Sequence, residues 1–163
     1  YSEDRIGLLE GVTAHEVAHQ WFYSTVGNDQ VDAPWLDEAL AQYLTLLYFQ
    51  DVYGRAGYDG YRASLTERWS RVDFAATPID LPVSAYASGE EYSAIVYGRG
   101  PLFFEALAAG SSGMGEPAFA AFLRDYYQAQ KWGIATAASL RRLAEEHCAC
   151  DLTELFRQWM RGE

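Results

Sequence analysis

Cysteine, histidine and proline are all scarce in this 163-residue chain, which contains two, three and five of them, respectively. The two cysteines, Cys148 and Cys150, are separated by a single residue. A bridge that tight would be strained, so a disulfide framework is not expected. Basic residues are also few: 12 lysines and arginines stand against 23 acidic residues, which gives a net charge of -11. An acidic surface repels phosphate backbones, so nucleic-acid binding is not expected either.

The sequence also lacks a long hydrophobic run. No apolar stretch approaches the ~20 residues that a membrane-spanning helix needs. The longest one, residues 40–49, is interrupted by Gln42 and Thr45. The chain begins with a tyrosine and shows no signal peptide, so we expect either a processed chain or an excised piece of a longer one. The sequence does not indicate a compartment.

Half of the residues are hydrophobic and 15% are aromatic, which predicts a single globular domain over residues 1–163 with a sizeable core. Apolar residues recur mostly with the period of a helix, and the alternation typical of strands is scarce. The prediction is therefore a mainly α-helical fold. Its helices are expected over residues 8–25, 35–53, 58–72, 100–110, 116–130 and 136–147, followed by a last helix with an Asp151 cap and a capping box to Glu154, and residues 73–89 are expected to be irregular.

Residues 15–19 read HEVAH, a pattern that binds zinc when it lies on a helix. His15 and His19 are four residues apart and share one helical face, so both imidazoles can point at one ion. Glu16 lies one step round the helix, from where its carboxylate can accept a proton from a metal-activated water without taking a ligand position. The alternative is an ordinary helix with two histidines satisfied by other hydrogen bonds.

A catalytic zinc has three protein ligands and one open position, so a third ligand must come from elsewhere in the chain. Glu38 follows His19 with 18 residues between them, which leaves room for the end of one helix, a loop and the start of another. Considered alone, Glu38 could equally be a solvated acid that the helix dipole favours in a first turn.

Residues 15–22 (HEVAHQWF) and 35–43 (WLDEALAQY), together with their spacing, resemble the gluzincin zinc aminopeptidases, the family that contains membrane alanyl aminopeptidase and leukotriene hydrolase. The resemblance implies the helical part of a thermolysin-like zinc peptidase catalytic domain that holds one Zn²⁺ per chain. It also implies the site roles: the zinc ligands are His15, His19 and Glu38, and the general base is Glu16. Asp37 departs from the family, which usually has asparagine there, and its extra charge could orient a histidine or change the pKa of the bound water.

Residues 92–100 (YSAIVYGRG) resemble the family segment in which a tyrosine precedes a lysine–glycine pair. The resemblance implies that Tyr97 donates a hydrogen bond to the developing oxyanion, a role that suits a neutral phenol. Arg99 stands where the family usually has lysine. Tyr92 lies at the position of an additional tyrosine of the cleft, although packing in the core would explain it equally well.

The family binds the free amine of its substrate with acidic residues upstream of the zinc helix, one of them in a Gly-Ala-Met-Glu-Asn segment, and the sequence contains no such segment. We therefore expect the helical portion of a longer zinc aminopeptidase, which hydrolyses the N-terminal bond of a peptide substrate and has the missing N-terminal part of the polypeptide as its partner. A zinc endopeptidase and a non-catalytic peptide-binding module are the alternatives. The isolated portion is expected to have little or no activity, because the wall that orients the substrate is absent.

Two weaker signals have ordinary structural interpretations. His147 with the two cysteines could bind a metal, but no second ligand pair accompanies them, so a helix end followed by a turn is predicted. The acidic pairs at residues 90–91 and 145–146 are predicted to be solvated, with contact to a substrate amine as an alternative for the first pair.

Overall fold

The computed structural model describes residues 3–72 and 77–160, with side chains from residue 7 onward. Within these residues no strand occurs, only two isolated β-bridges, so the mainly α-helical fold is as predicted. The helices are α1 (Glu3–Ala18), α2 (Trp35–Ser70), α3 (Gly89–Ala94), α4 (Gly100–Ala108), α5 (Glu116–Gln130), α6 (Ala137–Cys148) and α7 (Thr153–Trp159), with a 3₁₀-helix at Val83–Ala85 and a π-helix at Ile95–Arg99. None of the described helices is both long enough and apolar enough to cross a membrane.

The core forms around the N-terminal half of α2. Trp35 and Leu40 are fully buried there, and the Trp35 ring packs edge-on against Phe103 of α4 at 5.8 Å. The polar positions Gln42 and Thr45 on the same helix are buried as well. This half of α2 is therefore enclosed on most of its faces rather than amphipathic.

The C-terminal half of α2 follows a sharp kink at Gly54. The sequence predicted two separate helices, ending at residue 53 and resuming at residue 58. Gly54 does interrupt the helix, with φ 65° and ψ -153°, a conformation that glycine adopts without steric penalty. The chain resumes its helical path directly afterwards, so the predicted loop is absent and the stop at Gly54 is correct.

Helix α1 is shorter than predicted, ending at Ala18 rather than near Thr25. The chain then reverses in tight turns, in which Tyr23 has φ 120° and its N–H donates to the carbonyl of Val26 at 2.9 Å. These turns bury Phe22 and Val26 in the core. Tertiary packing has overridden the local helical pattern here.

A continuous helical path leads from α3 through the π-helix into α4, whereas only a helix beginning at Gly100 was predicted. The described part of the preceding segment, residues 77–88, is irregular as expected apart from its 3₁₀-helix, and residues 73–76 lie outside the described residues. Within the π-helix, Ile95 and Val96 are fully buried and Gly98 meets the backbone of α2. The π-helix is thereby pressed against the second half of α2.

Gly98 allows this close approach, and a matched pair of alanine substitutions tests it. A Cβ atom at Gly98 would lie 2.8 Å from the backbone nitrogen of Trp69 and 3.1 Å from the carbonyl oxygen of Leu65. Because neither atom can move without shifting α2, we expect Gly98→Ala to lower the free energy of unfolding by about 2 kcal/mol. Gly60→Ala, within α2 and with nothing within 4 Å of the added Cβ atom, should instead raise the free energy of unfolding by about 0.5–1 kcal/mol. Chemical denaturation of both variants measures the difference, and equal stabilities would contradict the tight contact.

The C-terminal helices follow the prediction closely, with two local corrections. Helix α5 has the predicted bounds, and α6 begins with a capping box between Thr136 and Ser139. Asp151 accepts the backbone N–H of Thr153 at 2.8 Å, but the predicted capping box is absent because Glu154 pairs with the side chain of Arg157 instead. The prediction that the cysteines stay unpaired is wrong.

Cys148 and Cys150 form a disulfide. Between them Ala149 adopts a left-handed conformation with φ 48° at the end of α6. This turn brings the two Cα atoms to 5.0 Å, a separation that a disulfide can bridge. Next to them, Nε2 of His147 lies 3.0 Å from a carboxylate oxygen of Asp125, and the predicted helix end and turn are confirmed.

The acidic pairs differ from each other in their surroundings. Glu90 is exposed, as predicted. Glu91, in the first turn of α3, is buried, contrary to the prediction, and its carboxylate accepts the N–H of Ala87, which precedes the helix. Ser88 accepts the N–H of Glu91 in return, which completes a cap. The second pair lies on α6 and forms i,i+4 ion pairs, Glu145 with Arg141 and Glu146 with Arg142.

Candidate metal centre

Three potential metal ligands converge where α1 meets the first turn of α2. Helix α1 carries His15 in its last turn, His19 follows directly after the last residue of this helix and bonds back to the His15 carbonyl, and α2 contributes Glu38. The two Nε2 atoms are 3.0 Å apart, and Oε2 of Glu38 lies 3.1 Å from the first and 3.3 Å from the second. Among the described residues, this is the one group of three or more histidine, cysteine or acidic side chains arranged to hold a metal ion.

The donor set fits a catalytic zinc. Zinc takes imidazole nitrogen and carboxylate oxygen at about 2.0–2.2 Å, so tetrahedral ligand atoms lie about 3.3–3.6 Å apart. The three separations of 3.0–3.3 Å are close to that spacing. Two histidines and one glutamate also leave a fourth position open, as a catalytic site requires.

The imidazole of His19 is oriented by the turn that follows α1. Its Nδ1 donates to the carbonyl oxygen of Phe22 at 2.9 Å, and this hydrogen bond orients the ring so that Nε2 faces Glu38 and His15. The early end of α1 therefore has a consequence for the site, because a longer helix would have carried this carbonyl away. In contrast, Nδ1 of His15 is buried and has no partner among the described residues.

The charges of His19 and Glu38 depend on each other. The hydrogen bond to the Glu38 carboxylate raises the pKa of His19 to about 9, although burial opposes protonation of the ring. Burial likewise opposes ionisation of Glu38, but hydrogen bonds from His15, His19 and Tyr97 outweigh it and lower the pKa of Glu38 to about 2. A carboxylate held charged beside two imidazoles supplies the negative charge that attracts a divalent cation.

The three side chains lie on the wall of a cleft of about 780 Å³. Glu16 is exposed and lines the same cleft, beside the ligand group rather than within it. The structure thus brings together the four residues that the HEVAH motif and the resemblance singled out, with Glu16 free to face a bound substrate. Their roles as ligands and base remain predictions.

Tyr97, on the π-helix, lines the cleft opposite α1. Its ring centroid lies 6.1 Å from that of His15. Burial, and next the charge of Glu38, raise the pKa of the Tyr97 phenol well above its usual range, so the hydroxyl stays protonated and able to donate a hydrogen bond. Tyr92 does not line the cleft but packs edge-on against Tyr97 at 5.8 Å and against Tyr86 at 5.4 Å. Its position is that of a packing residue behind Tyr97.

Asp37, the departure from the family pattern, does not contact either histidine. It is buried, and its two carboxylate oxygens accept the side-chain amides of Asn28 at 2.9 Å and Gln30 at 2.8 Å. Burial raises the pKa of Asp37, while the two amide hydrogen bonds act in the opposite direction. The side chain therefore connects the loop before α2 to the helix that carries Glu38.

Three further residues line the cleft although the sequence analysis did not assign them to a site. Gln42 and Tyr61 are joined by a hydrogen bond of 2.7 Å, and the guanidinium of Arg68 lies 5.9 Å from the ring centroid of Tyr97. Tyr61 and Arg68 belong to the part of α2 beyond the Gly54 kink. Their approach to the cleft is set by the direction in which the helix resumes, which no short motif encodes.

A comparison with known proteins finds peptidases, in agreement with the resemblance of the two motifs. The model of the peptidase family M1 domain matches residues 1–159. Aminopeptidase 2 of Candida albicans is 25% identical over 155 residues, which cover 93% of this chain and 16% of that protein. The alanine/arginine aminopeptidase of Saccharomyces cerevisiae is 26% identical over 164 residues, covering 97% of this chain and 19% of that protein.

A solved structure agrees with the fold. The M1 zinc metallopeptidase from Deinococcus radiodurans, in a mutant form bound to a Tyr-Ser-Ala substrate, matches with a TM-score of 0.70 and 28% identity, covering 94% of this chain and 33% of that one. The predicted fold class, the helical part of such a peptidase domain, is confirmed. The chain spans about a fifth or less of these curated relatives and a third of the solved chain. Since the family model extends over nearly all of its residues, the chain belongs to peptidase family M1.

Proposed function

We propose that this chain is the helical catalytic portion of a zinc-dependent aminopeptidase, which hydrolyses the N-terminal bond of peptides. The observation that carries the proposal is the convergence of His15, His19 and Glu38 within 3.3 Å on the wall of a cleft. The same cleft contains a free carboxylate and a neutral phenol, Glu16 and Tyr97. The aminopeptidase names of the relatives support the substrate class.

The residues divide the chemistry among themselves. His15, His19 and Glu38 would hold one zinc ion, which when bound polarises a carbonyl and lowers the pKa of water toward ~7. Glu16 accepts the proton of the attacking water and delivers it to the departing amine, the work of a general base that becomes a general acid. Tyr97 donates its hydroxyl hydrogen to the oxygen that gains negative charge in the transition state.

We further propose that residues 1–163 act as one domain whose partner is the N-terminal part of the same polypeptide. The chain covers a third of the solved relative, so most of such a protein lies outside it. An apolar groove of about 750 Å³ runs along α1 on the side away from the ligand group. Leu9, Val17 and Trp21 line this groove with exposed fractions of 67%, 49% and 49%. A further part of the catalytic domain packed there would cover this apolar surface.

Zinc content distinguishes a metal centre from a group of hydrogen-bonded side chains. By elemental analysis, the purified protein should contain about one zinc per chain, and Glu38→Ala should contain almost none, because two histidines alone bind zinc weakly. Glu90→Ala is the matched control: Glu90 is also an acid in a first helical turn, but it is exposed and away from the cleft. Absence of zinc from the unmodified protein after zinc reconstitution would contradict the proposal.

Peptide hydrolysis by the intact gene product then tests the reaction. Peptides with a free amine should be cleaved after their first residue, and the same peptides with an acetylated amine should not. Cleavage of both would identify an endopeptidase. Stoichiometric zinc without any hydrolysis would identify a peptide-binding module.

A further inference from the structure

One arginine in the cleft, Arg68, has no acidic partner among the described residues. Apart from the histidines, Arg68 is the one basic side chain among the described residues that line the cleft, although acidic residues dominate the chain as a whole. Arg55 and Arg62 on the same helix form ion pairs with Asp59 and Glu105, and Arg71, directly after the helix, pairs with Glu67. No carboxylate within the described residues lies at ion-pair distance from Arg68.

The surroundings of Arg68 disfavour an isolated charge. The side chain is half-buried in the last turn of α2, and its guanidinium lies over the ring of Tyr97 at 5.9 Å. A cation over an aromatic face gains some stabilisation. The planar guanidinium nevertheless retains donors on its edge, and these match the two oxygens of a carboxylate. An anionic ligand in the cleft would satisfy them.

Two distances limit how far the Arg68 guanidinium can be from the metal ligands. Arg68 is 5.9 Å from the ring of Tyr97, which is 6.1 Å from the ring of His15. The guanidinium is therefore at most about 12 Å from the metal ligands, a span that an extended peptide covers in about three to four residues. An aminopeptidase substrate has only one residue before the bond that breaks. Every substrate residue after the first therefore lies on the departing side, where the peptide can extend toward this guanidinium.

We propose that Arg68 is a specificity-determining residue that binds a carboxylate on the departing side of the peptide substrate. This rests on the proposed function, because it takes the ligand group as the place where the bond breaks. The carboxylate has two sources: the C-terminus of a short peptide, or an acidic side chain a few residues beyond the cleaved bond. Both present the same two oxygens to the guanidinium.

The test compares matched peptides on the intact gene product. Tri-alanine and tetra-alanine are measured with a free C-terminus and as C-terminal amides, and Ala-Ala-Asp amide is compared with Ala-Ala-Asn amide. We expect the carboxylate form of at least one pair to have a kcat/KM about ten- to a hundredfold higher, the discrimination that a charge-assisted pair supplies. Preference within the alanine pairs identifies the C-terminus as the source, and preference within the last pair identifies the side chain.

Arg68→Gln should remove this preference by raising KM for the carboxylate form, while kcat/KM for the amide peptides stays within about threefold. Arg68→Lys should retain part of the preference, because it keeps the charge but loses the paired donors. Arg71→Gln is the control, since Arg71 lies three positions further along the chain and is paired with Glu67 outside the cleft. No preference in the unmodified protein, or the same preference in Arg68→Gln, would overturn the proposal. An equal fall of kcat for every peptide would also overturn it, because Arg68 would then act through Tyr97.

Calorimetric binding of the same peptides separates this proposal from the reaction itself. A protein that cleaves nothing would refute the proposed function, but it would still show whether Arg68 binds carboxylates. Tighter binding of the free-carboxylate peptide to the unmodified protein than to Arg68→Gln is the expected result. Equal binding to both proteins would overturn the assignment whatever the catalytic outcome.

Discussion

Glu16→Gln should lower kcat for peptide hydrolysis by about two to four powers of ten while zinc content stays at about one per chain. Glutamine keeps the size of the side chain but cannot accept the proton of the attacking water, and general-base assistance is worth about that factor. Glu16 is exposed in the cleft and is not one of the three side chains grouped as potential ligands. Its replacement therefore leaves the metal-binding atoms in place.

Steady-state kinetics and elemental analysis on the same preparations check this result. Glu10→Gln is the matched control, because Glu10 lies on the same helix and lines the apolar groove away from the ligand group. Its carboxylate accepts hydrogen bonds from Tyr48 and Tyr53, which a glutamine oxygen can also accept, so activity should change less than about threefold. Loss of zinc from Glu16→Gln would make Glu16 a ligand, and unchanged kcat would assign the base to another residue.

The ligand group could be predicted in part because half of its geometry is local. A spacing of four on a helix places His15 and His19 on one face whatever the remainder of the chain does. The prediction of Glu38 as a ligand depended on the family resemblance, because the turns between α1 and α2 determine how close Glu38 comes to the two histidines. In those turns Tyr23 takes φ 120° and the carbonyl of Phe22 returns to His19. The residues that close these turns form no local pattern that would have predicted them.

The features that were not predicted all depend on contacts between distant segments. Arg68 reaches the cleft because α2 resumes in a new direction after Gly54. The π-helix that holds Tyr97 is packed against α2, where Gly98 leaves no space for a side chain. A π-helix carries no periodic signal of its own and often occurs at functional sites. Placement of Tyr97 in the cleft was thus implied by resemblance alone, and its structural cause became visible only in the fold.

Arg99, which stands where the family usually has lysine, makes contacts that its positive charge alone does not describe. The side chain is buried, and its guanidinium donates to the carbonyl oxygens of Thr77, Gln158 and Trp159, the last two at 2.9 and 3.2 Å. The rings of Trp159 and Trp69 lie 4.8 and 5.8 Å from it. One side chain thereby ties the π-helix to the loop after α2 and to the end of α7. A lysine has one nitrogen and cannot reach the same set of carbonyls.

Arg99→Met should therefore lower the free energy of unfolding by about 3 kcal/mol, which lowers Tm by about 6–12 °C for a chain of this size. Each buried carbonyl left without a donor costs about 1–3 kcal/mol. The loss is smaller than the sum because a buried guanidinium is itself unfavourable, and burial lowers the pKa of Arg99 for that reason. Methionine fills most of the volume of the arginine without replacing its donors. Lysine keeps one donor nitrogen, so the stability of Arg99→Lys should lie between that of the unmodified protein and that of Arg99→Met.

Thermal and denaturant unfolding of the two Arg99 variants measure the effect, with Arg142→Met as the control. Arg142 is exposed and pairs with Glu146 on the same helix, so its loss should change stability by less than about 0.5 kcal/mol. Because Arg99 ends the π-helix that carries Tyr97, Arg99→Lys should also lower kcat more than it raises KM while zinc stays bound. An Arg99→Met variant as stable as the unmodified protein would mean that relief of the buried charge outweighs three lost hydrogen bonds, and the segment would then owe its position to packing against α2 alone.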